Sequence, residues 1–375
     1  MILGILKESG NEKRIALLPE SVATLIKMMV TVYVETEAGN GSFAFDADYV
    51  AAGAKILSKE DVIRQSDILI KINPPTEGEL AQMKEKTVLL AVLNPFFNKD
   101  LIFGLVQKDI TSFSLDVIPR TSRAQSMDIL SSMATVAGYK AVLTAANSLP
   151  KFFPMFMTAA GTITPAKVLI LGAGVAGLQA IATSRKLGAV VEVFDVRAAV
   201  KEEVVGLGGK FVEVEGAVDD KTAGGYAVEQ GEDFKKRQAQ AVHNHAVKSD
   251  VVICTAQIPG KKAPVLLKKE TVETMKPGSV IIDLAASTGG NCELTRNDET
   301  IFHNGVRIIG NSHFAVDMPT DASKMFGKNV INFLKLMISP KGEFKLNWED
   351  DIVKGACVTH NKEVVHERVK AVINA

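Results

Sequence analysis

Cysteine is scarce in this chain of 375 residues, with only Cys254, Cys292 and Cys357. Three scattered thiols cannot build a disulfide framework or a CxxC-type centre. No HExxH or comparable ligand spacing occurs either, so no metal site is expected. So little cysteine fits a reducing compartment. Net charge is also lacking: Lys+Arg and Asp+Glu both number 43. A neutral chain has no broad basic field for nucleic acid. Aromatic residues make up only 6% of a chain that is 47% hydrophobic. A core of Ala, Val, Ile and Leu suits strands covered on both faces by helices. Long apolar runs are missing too. Stretches 88–97 and 152–163 are the longest, and Pro, Asn, Thr or Gly interrupts each. Both fall short of the roughly 20 residues a spanning helix needs. The opening MILGILKESGNEKR turns charged too soon for a signal peptide.

What is present is alternation. Strand patterns fall at 2–6, 31–35, 67–72, 87–93 and 110–115, with helical stretches near 19–29, 46–53, 58–65, 76–84 and 98–108. Residues 120–150 begin polar and continue as a small-residue helix bridging two domains. A second series of strands follows at 167–172, 190–195, 210–214, 250–256, 279–285 and 306–310, and the tail returns to helix at 320–338. Such βα alternation predicts an α/β fold with mostly parallel sheets. Segment 216–238 breaks the pattern. It is polar, charged and glycine-containing, and reads as an irregular functional loop.

GAGVAG at 172–177 follows an apolar strand and opens a helix. In this setting Gly172 permits the tight turn, Gly174 leaves room for a pyrophosphate, and Gly177 lets the helix pack closely on the strand. Backbone N–H groups of Ala173 and Val175 belong to the same phosphate cradle. Asp195 closes the next strand about 20 residues on, where a carboxylate accepts the ribose hydroxyls of NAD. Val196 and Arg197 follow, and Arg197 could instead accommodate the extra phosphate of NADP. NAD is the favoured nucleotide. Thr255 and Ala256, small residues at a later strand end, suit a cofactor wall, as do Gly289 and Gly290, although ordinary strand-to-helix loops look the same.

No histidine sits in a compelling catalytic context. His243 and His245 fall in a polar helix and are expected to be exposed; His313 is the best placed. Arg120, Gln125, Asp128 and Ser131 share one hydrogen-bonding segment at the domain junction. An Arg–Asp pair there would fix the loop, and a Gln amide could hold a nicotinamide carboxamide. A capped helix start with a solvated charge pair fits the spacing as well.

The segments ESGNEKRIALLPE, AGNGSFAFDADYVAAGA, LIKINPP and GAGVAGLQAIATSRKLGA resemble the alanine dehydrogenase and pyridine nucleotide transhydrogenase superfamily over nearly the whole chain. RAQSMD, KTAGGYAVEQGEDF and DDIVKGACVTH are similar to its transhydrogenase branch, in particular the NAD(H)-binding component. The resemblance implies two Rossmann-like doubly wound domains joined by long helices, with a nucleotide cleft between them. The division expected is 1–135, completed by 318–375, and an NAD-binding domain at 136–317. It implies that Arg120, Gln125, Asp128 and Ser131 lie beside the nicotinamide. It further implies that Gly172, Gly174, Gly177 and Asp195 form the dinucleotide site, and that Tyr226 marks the tip of a closing loop. Implied partners are a second copy of the chain, an NADP(H)-binding domain and a membrane proton channel. Such a protein would lie peripheral to the membrane on its cytoplasmic or matrix-equivalent side. Arg14 and Lys71 match substrate-binding positions of alanine dehydrogenases. Asn94–Pro95 and Ser287 stand where those enzymes carry a catalytic His and Asp. Hydride exchange between two nicotinamides needs neither acid nor base, so these departures favour the transhydrogenase branch. An amino-acid or ketoacid dehydrogenase, or a non-catalytic NAD-sensing module, are the alternatives.

Overall fold

The computed structural model describes residues 1–216, 231–258 and 261–373. The chain divides into two compact units, Met1–Met133 with Val316–Ala375, and Ala134–Ala315. Among the described residues each unit is built on one large sheet.

In the first unit, strands Thr31–Glu35, Ile2–Ile5, Ile68–Ile70, Val88–Ala91 and Thr111–Ser114 run parallel, with Lys55–Leu57 at one edge. Their near-continuous apolar residues are buried, as parallel strands covered on both faces require. Strand Cys357–His360 pairs antiparallel with Thr111–Ser114, so the C-terminal segment extends the sheet begun by the N-terminus. Helix Pro319–Leu334 contributes Phe326, Val330 and Phe333 to the same core. Local chemistry marks the shorter helices. Thr76 and Glu79 form a reciprocal capping box, and Ser58 caps Lys59–Gln65.

In the second unit the parallel strands stand in the order Lys210–Phe211, Val190–Phe194, Lys167–Leu171, Val251–Cys254, Val280–Asp283 and Val306–Gly310. Counted along the chain this is 3-2-1-4-5-6, the doubly wound dinucleotide order. Thr300–His303 closes the edge antiparallel. The switch point lies between Lys167–Leu171 and Val251–Cys254, so the turn after Leu171 opens where ligands bind in such sheets.

Several sequence expectations shift. The strand read at 210–214 is only two residues long. The irregular segment read at 216–238 ends sooner than expected, because helix Glu232–Ala246 begins at Glu232. Its acidic first turn and buried Phe234, Val242 and Ala246 give the polar sequence one apolar seam. Residues 217–230, including Tyr226, lie outside the described residues. Helix Ile129–Ser148 has a span-like length and hydropathy despite its polar start. Ile129 packs into the first unit's core, and Ala141, Val142 and Ala145 pack into the second's. Those burials are the behaviour of a core helix.

Candidate functional site

The glycine turn is fixed by close approach. Gly172 has φ +103°, and an added Cβ would lie 2.7 Å from Thr255 Oγ1. Its N–H donates to the Phe194 carbonyl at 2.8 Å. A Cβ on Gly177 would meet the Gly172 carbonyl oxygen at 1.9 Å, so helix Val175–Lys186 can rise this close to the strand only on glycine. Gly174 differs: nothing lies within 4 Å of its would-be Cβ. That open side, at the start of the helix, is where a phosphate can approach the backbone. The first intrahelical bond is Leu178 N–H to Gly174 carbonyl, 2.8 Å. The preceding N–H groups of the turn, with the positive end of the helix dipole, are suited to an anion. The residues present therefore fit a dinucleotide pyrophosphate.

Asp195 stands beside this turn with its side chain 6% exposed. Oδ2 accepts the Ala173 N–H at 2.7 Å and Arg197 Nη2 at 2.7 Å. Oδ1 accepts Arg197 N–H at 2.8 Å and Nε at 2.9 Å. Four N–H groups thus occupy the four acceptor positions of the carboxylate. Ribose hydroxyls can take their place at Asp195 only if the Arg197 guanidinium moves aside. Val196 is half-buried between them and packs against the second core of this unit.

The adjoining wall is built by a network the sequence did not reveal. Thr255 Oγ1 donates to the Gly172 carbonyl at 2.9 Å. Ala256 N–H donates to Asn291 Oδ1 at 3.0 Å, and Asn291 Nδ2 donates to the carbonyls of Ala256 and Pro264. Asn291 in turn donates its N–H to buried Asp283 at 2.7 Å, and Asp283 also accepts from Ala285, Cys292 and Thr295. The signal in the sequence was an Asp ending an apolar strand just before the Gly289–Gly290 pair. Gly290 approaches the same carboxylate, its would-be Cβ 2.9 Å from Oδ2.

In the first unit, Ser122–Met127 is a short 3-10 helix. Thr121 Oγ1 accepts the Ala124 N–H at its start. Asp128 accepts the Ser131 N–H at 2.9 Å and the Ser131 hydroxyl at 2.6 Å. These two side chains therefore form a helix cap. Arg120 and Gln125 are exposed. The ion pair that ties this segment down belongs to a residue the sequence reading missed: Arg123 reaches Asp350 at 2.7 Å and also pairs with Asp351. It leaves the Asp350 carboxyl lowered to about 2.

Arg14 and Lys71 both meet carboxylates of the chain itself. Arg14 forms a two-pronged pair with Glu12 at 2.6 and 2.8 Å, and its Nη1 donates to Met133 Sδ. Lys71, fully buried, contacts Glu79 at 2.6 Å. Burial pushes the Glu79 carboxyl up, but Lys71, the Thr76 N–H and Lys59 outweigh it and hold the carboxyl below its ordinary value. A cavity of 270 Å³ near this region is lined by Lys7, Glu8, Glu12 and Lys13 among others, and by none of the residues read as nucleotide ligands.

The histidines are placed elsewhere. His243 and His245 are half-buried rather than exposed, bonded to Thr271 and Glu192 at 3.0 and 2.6 Å. His313 is exposed, 4.0 Å from Asp298. Burial pushes the Cys254 thiol well up, the Cys292 thiol to about 11 and the Cys357 thiol to about 12, which disfavours the reactive thiolate at all three.

Comparison with known proteins agrees with this geometry. The family models "Alanine dehydrogenase/PNT, N-terminal domain" and "Alanine dehydrogenase/PNT, C-terminal domain" match residues 4–137 and 141–367. The chain is 42% identical over 368 residues to NAD(P) transhydrogenase subunit alpha of Haemophilus influenzae, covering 97% of this chain and 72% of that one. In Rhodospirillum rubrum the similarity is to the first of the separate chains that make up the alpha subunit of NAD(P) transhydrogenase, 46% identical over 365 residues and covering 95% of each chain. A crystal structure of transhydrogenase from Sinorhizobium meliloti superposes with TM-score 0.90 at 41% identity, covering 97% of this chain and all of that one. An L-alanine dehydrogenase structure superposes with TM-score 0.81 at 25% identity, over 100% of this chain and 99% of that chain.

Proposed function

Because the chain belongs to the alanine dehydrogenase/PNT family, with transhydrogenase alpha subunits among its relatives, we propose that it is the NAD(H)-binding component of a proton-translocating transhydrogenase. It holds NAD(H) for direct hydride exchange with NADP(H) on a partner domain: NADH and NADP⁺ give NAD⁺ and NADPH. The observation that carries this reading is the turn Gly172–Gly177 beside Asp195. The open side of Gly174 receives the pyrophosphate, and Asp195 accepts the ribose hydroxyls once Arg197 swings away. A carboxylate there repels a 2′-phosphate, which assigns NAD(H) to this chain and NADP(H) to the partner. Thr255 and Ala256 line the same site.

Arg120 and Gln125 are assigned to the nicotinamide end, with Asp128 and Ser131 shaping the segment that carries them. This assignment rests on the resemblance of RAQSMD and on the exposure of the two long side chains. Tyr226 is assigned to a loop over the bound nucleotide on resemblance alone. Transfer between two nicotinamide rings moves no proton, so the chain's task is to bind, orient and exclude water. Asn94 and Ser287 supply no acid or base, and the carboxylate partners of Arg14 and Lys71 come from the chain itself. Both facts argue against a ketoacid dehydrogenase.

A homodimer is proposed as the working form. Strands Phe156–Thr158 and Gly161–Ile163 make an exposed hairpin, with Phe152, Met155, Phe156 and Met157 all open to solvent. Apolar side chains gathered this way mark an association surface. Attachment to the membrane runs through partner subunits, on the cytoplasmic or matrix-equivalent side.

The first test is nucleotide choice. NADH fluorescence titration should show binding, with NADPH at least about tenfold weaker. Asp195→Ala should abolish that preference. A wild-type protein that prefers NADPH would overturn the assignment.

A further inference from the structure

Segment 122–127 is held from behind by a helix more than 200 residues away in sequence. Asn329 and Asn332 lie one turn apart on Pro319–Leu334, so their side chains share a face. Both donate Nδ2 hydrogens to the Ser126 carbonyl, at 2.8 and 3.1 Å. Ala124 and Met127 are buried in the same core as Phe326 and Val330. Gln125 and Ser126, between them, face outward. The 3-10 turn is thus anchored by two apolar side chains, clamped by its central carbonyl and tied at one end through Arg123 to Asp350.

Asn329 is a poor choice for stability. It is 7% exposed, and its Oδ1 has no hydrogen-bond partner among the described residues. A buried acceptor left unpaired costs at least as much as the one donated bond returns. A leucine of similar size would bury more apolar surface and leave no orphan acceptor. What leucine could not do is hold the Ser126 carbonyl.

We propose that Asn329, assisted by Asn332, is a positioning residue. It fixes the 122–127 turn before nucleotide binds, so that Gln125 is presented in one orientation. The functional half rests on the reading above that this segment serves the nicotinamide. The clamp itself does not.

The test uses the full chain with Asn329→Leu/Asn332→Leu, and Asn332→Leu alone in case the double variant folds poorly. Four quantities are measured: thermal midpoint, NADH affinity, amide exchange at residues 122–128, and hydride transfer to an absorbance-shifted NADP⁺ analogue on a transhydrogenase NADP(H)-binding domain. The midpoint should stay within about 2 °C of wild type or rise, which a merely structural role would not allow. NADH affinity should hold within about twofold. Amides at 122–128 should exchange at least about tenfold faster. Hydride transfer should slow by at least about tenfold. Unchanged exchange at 122–128 would overturn the clamp. Faster exchange with undiminished transfer would overturn its functional role. If the wild-type chain transfers no hydride, the proposed function fails, and the exchange measurement alone decides the clamp.

Discussion

Gly172 and Gly174 sit two residues apart and should fail in different ways. Valine at 172 meets Thr255 Oγ1 and must hold φ near +103°, which for a β-branched residue costs about 1–3 kcal/mol in backbone strain. Gly172→Val should therefore lower the thermal midpoint as well as abolish NADH binding. Gly174→Val points a side chain into open space. It should leave the midpoint unchanged while weakening NADH by at least about 100-fold, because the added side chain stands where the phosphate must approach. Unchanged affinity in a folded Gly174→Val protein would remove the pyrophosphate from this turn. These glycines and Asp195 were legible in the sequence because their spacing is set by backbone geometry, which local sequence encodes. The Arg197 guanidinium across Asp195 was not, since side-chain conformation in a short turn depends on what else is near. Nor was Asn329, whose partner is distant and whose position in a helix looks like any other polar site.

Among the elements, the buried pair of Lys71, just past strand Ile68–Ile70, and Glu79, on helix Glu77–Gln82, gives a sharp energetic test. Lys71→Met leaves Glu79 with only Lys59 and should cost about 3 kcal/mol by denaturant unfolding. Lys71→Met/Glu79→Gln removes both charges and keeps an acceptor for the Thr76 N–H, so it should be less destabilising than the single change. A double variant at least as unstable as Lys71→Met would show that the charges themselves stabilise the fold. The pH dependence follows from Glu79, whose carboxyl is held below its ordinary value. Its contribution is present above that ordinary value and is lost as pH falls through the lower, folded-state value. The double variant should lose this part of the acid limb. The core strands of both sheets were legible because their apolar runs are buried on two faces. The edge strands Thr300–His303, Cys357–His360 and Glu363–Val364, and the hairpin at 156–163, were not. Short edge strands carry mixed polar sequence, and it is pairing across the chain that makes them strands.

For the whole molecule, the parallel order of the second sheet explains why the turn after Leu171 is the binding end, and the exposed hairpin suggests how two copies meet. Met157→Asp, at a position 76% exposed, should leave the fold intact and shift a dimer toward monomer in sedimentation at micromolar concentration; an unchanged dimer would place the interface elsewhere. The central claim concerns transfer. Stopped-flow absorbance should follow NADH on this chain mixed with a transhydrogenase NADP(H)-binding domain carrying an absorbance-shifted NADP⁺ analogue. The account predicts rapid reduction of the analogue, slowed at least about tenfold by Gln125→Asn with little change in NADH affinity. NADH binding without any reduction of the analogue would contradict it.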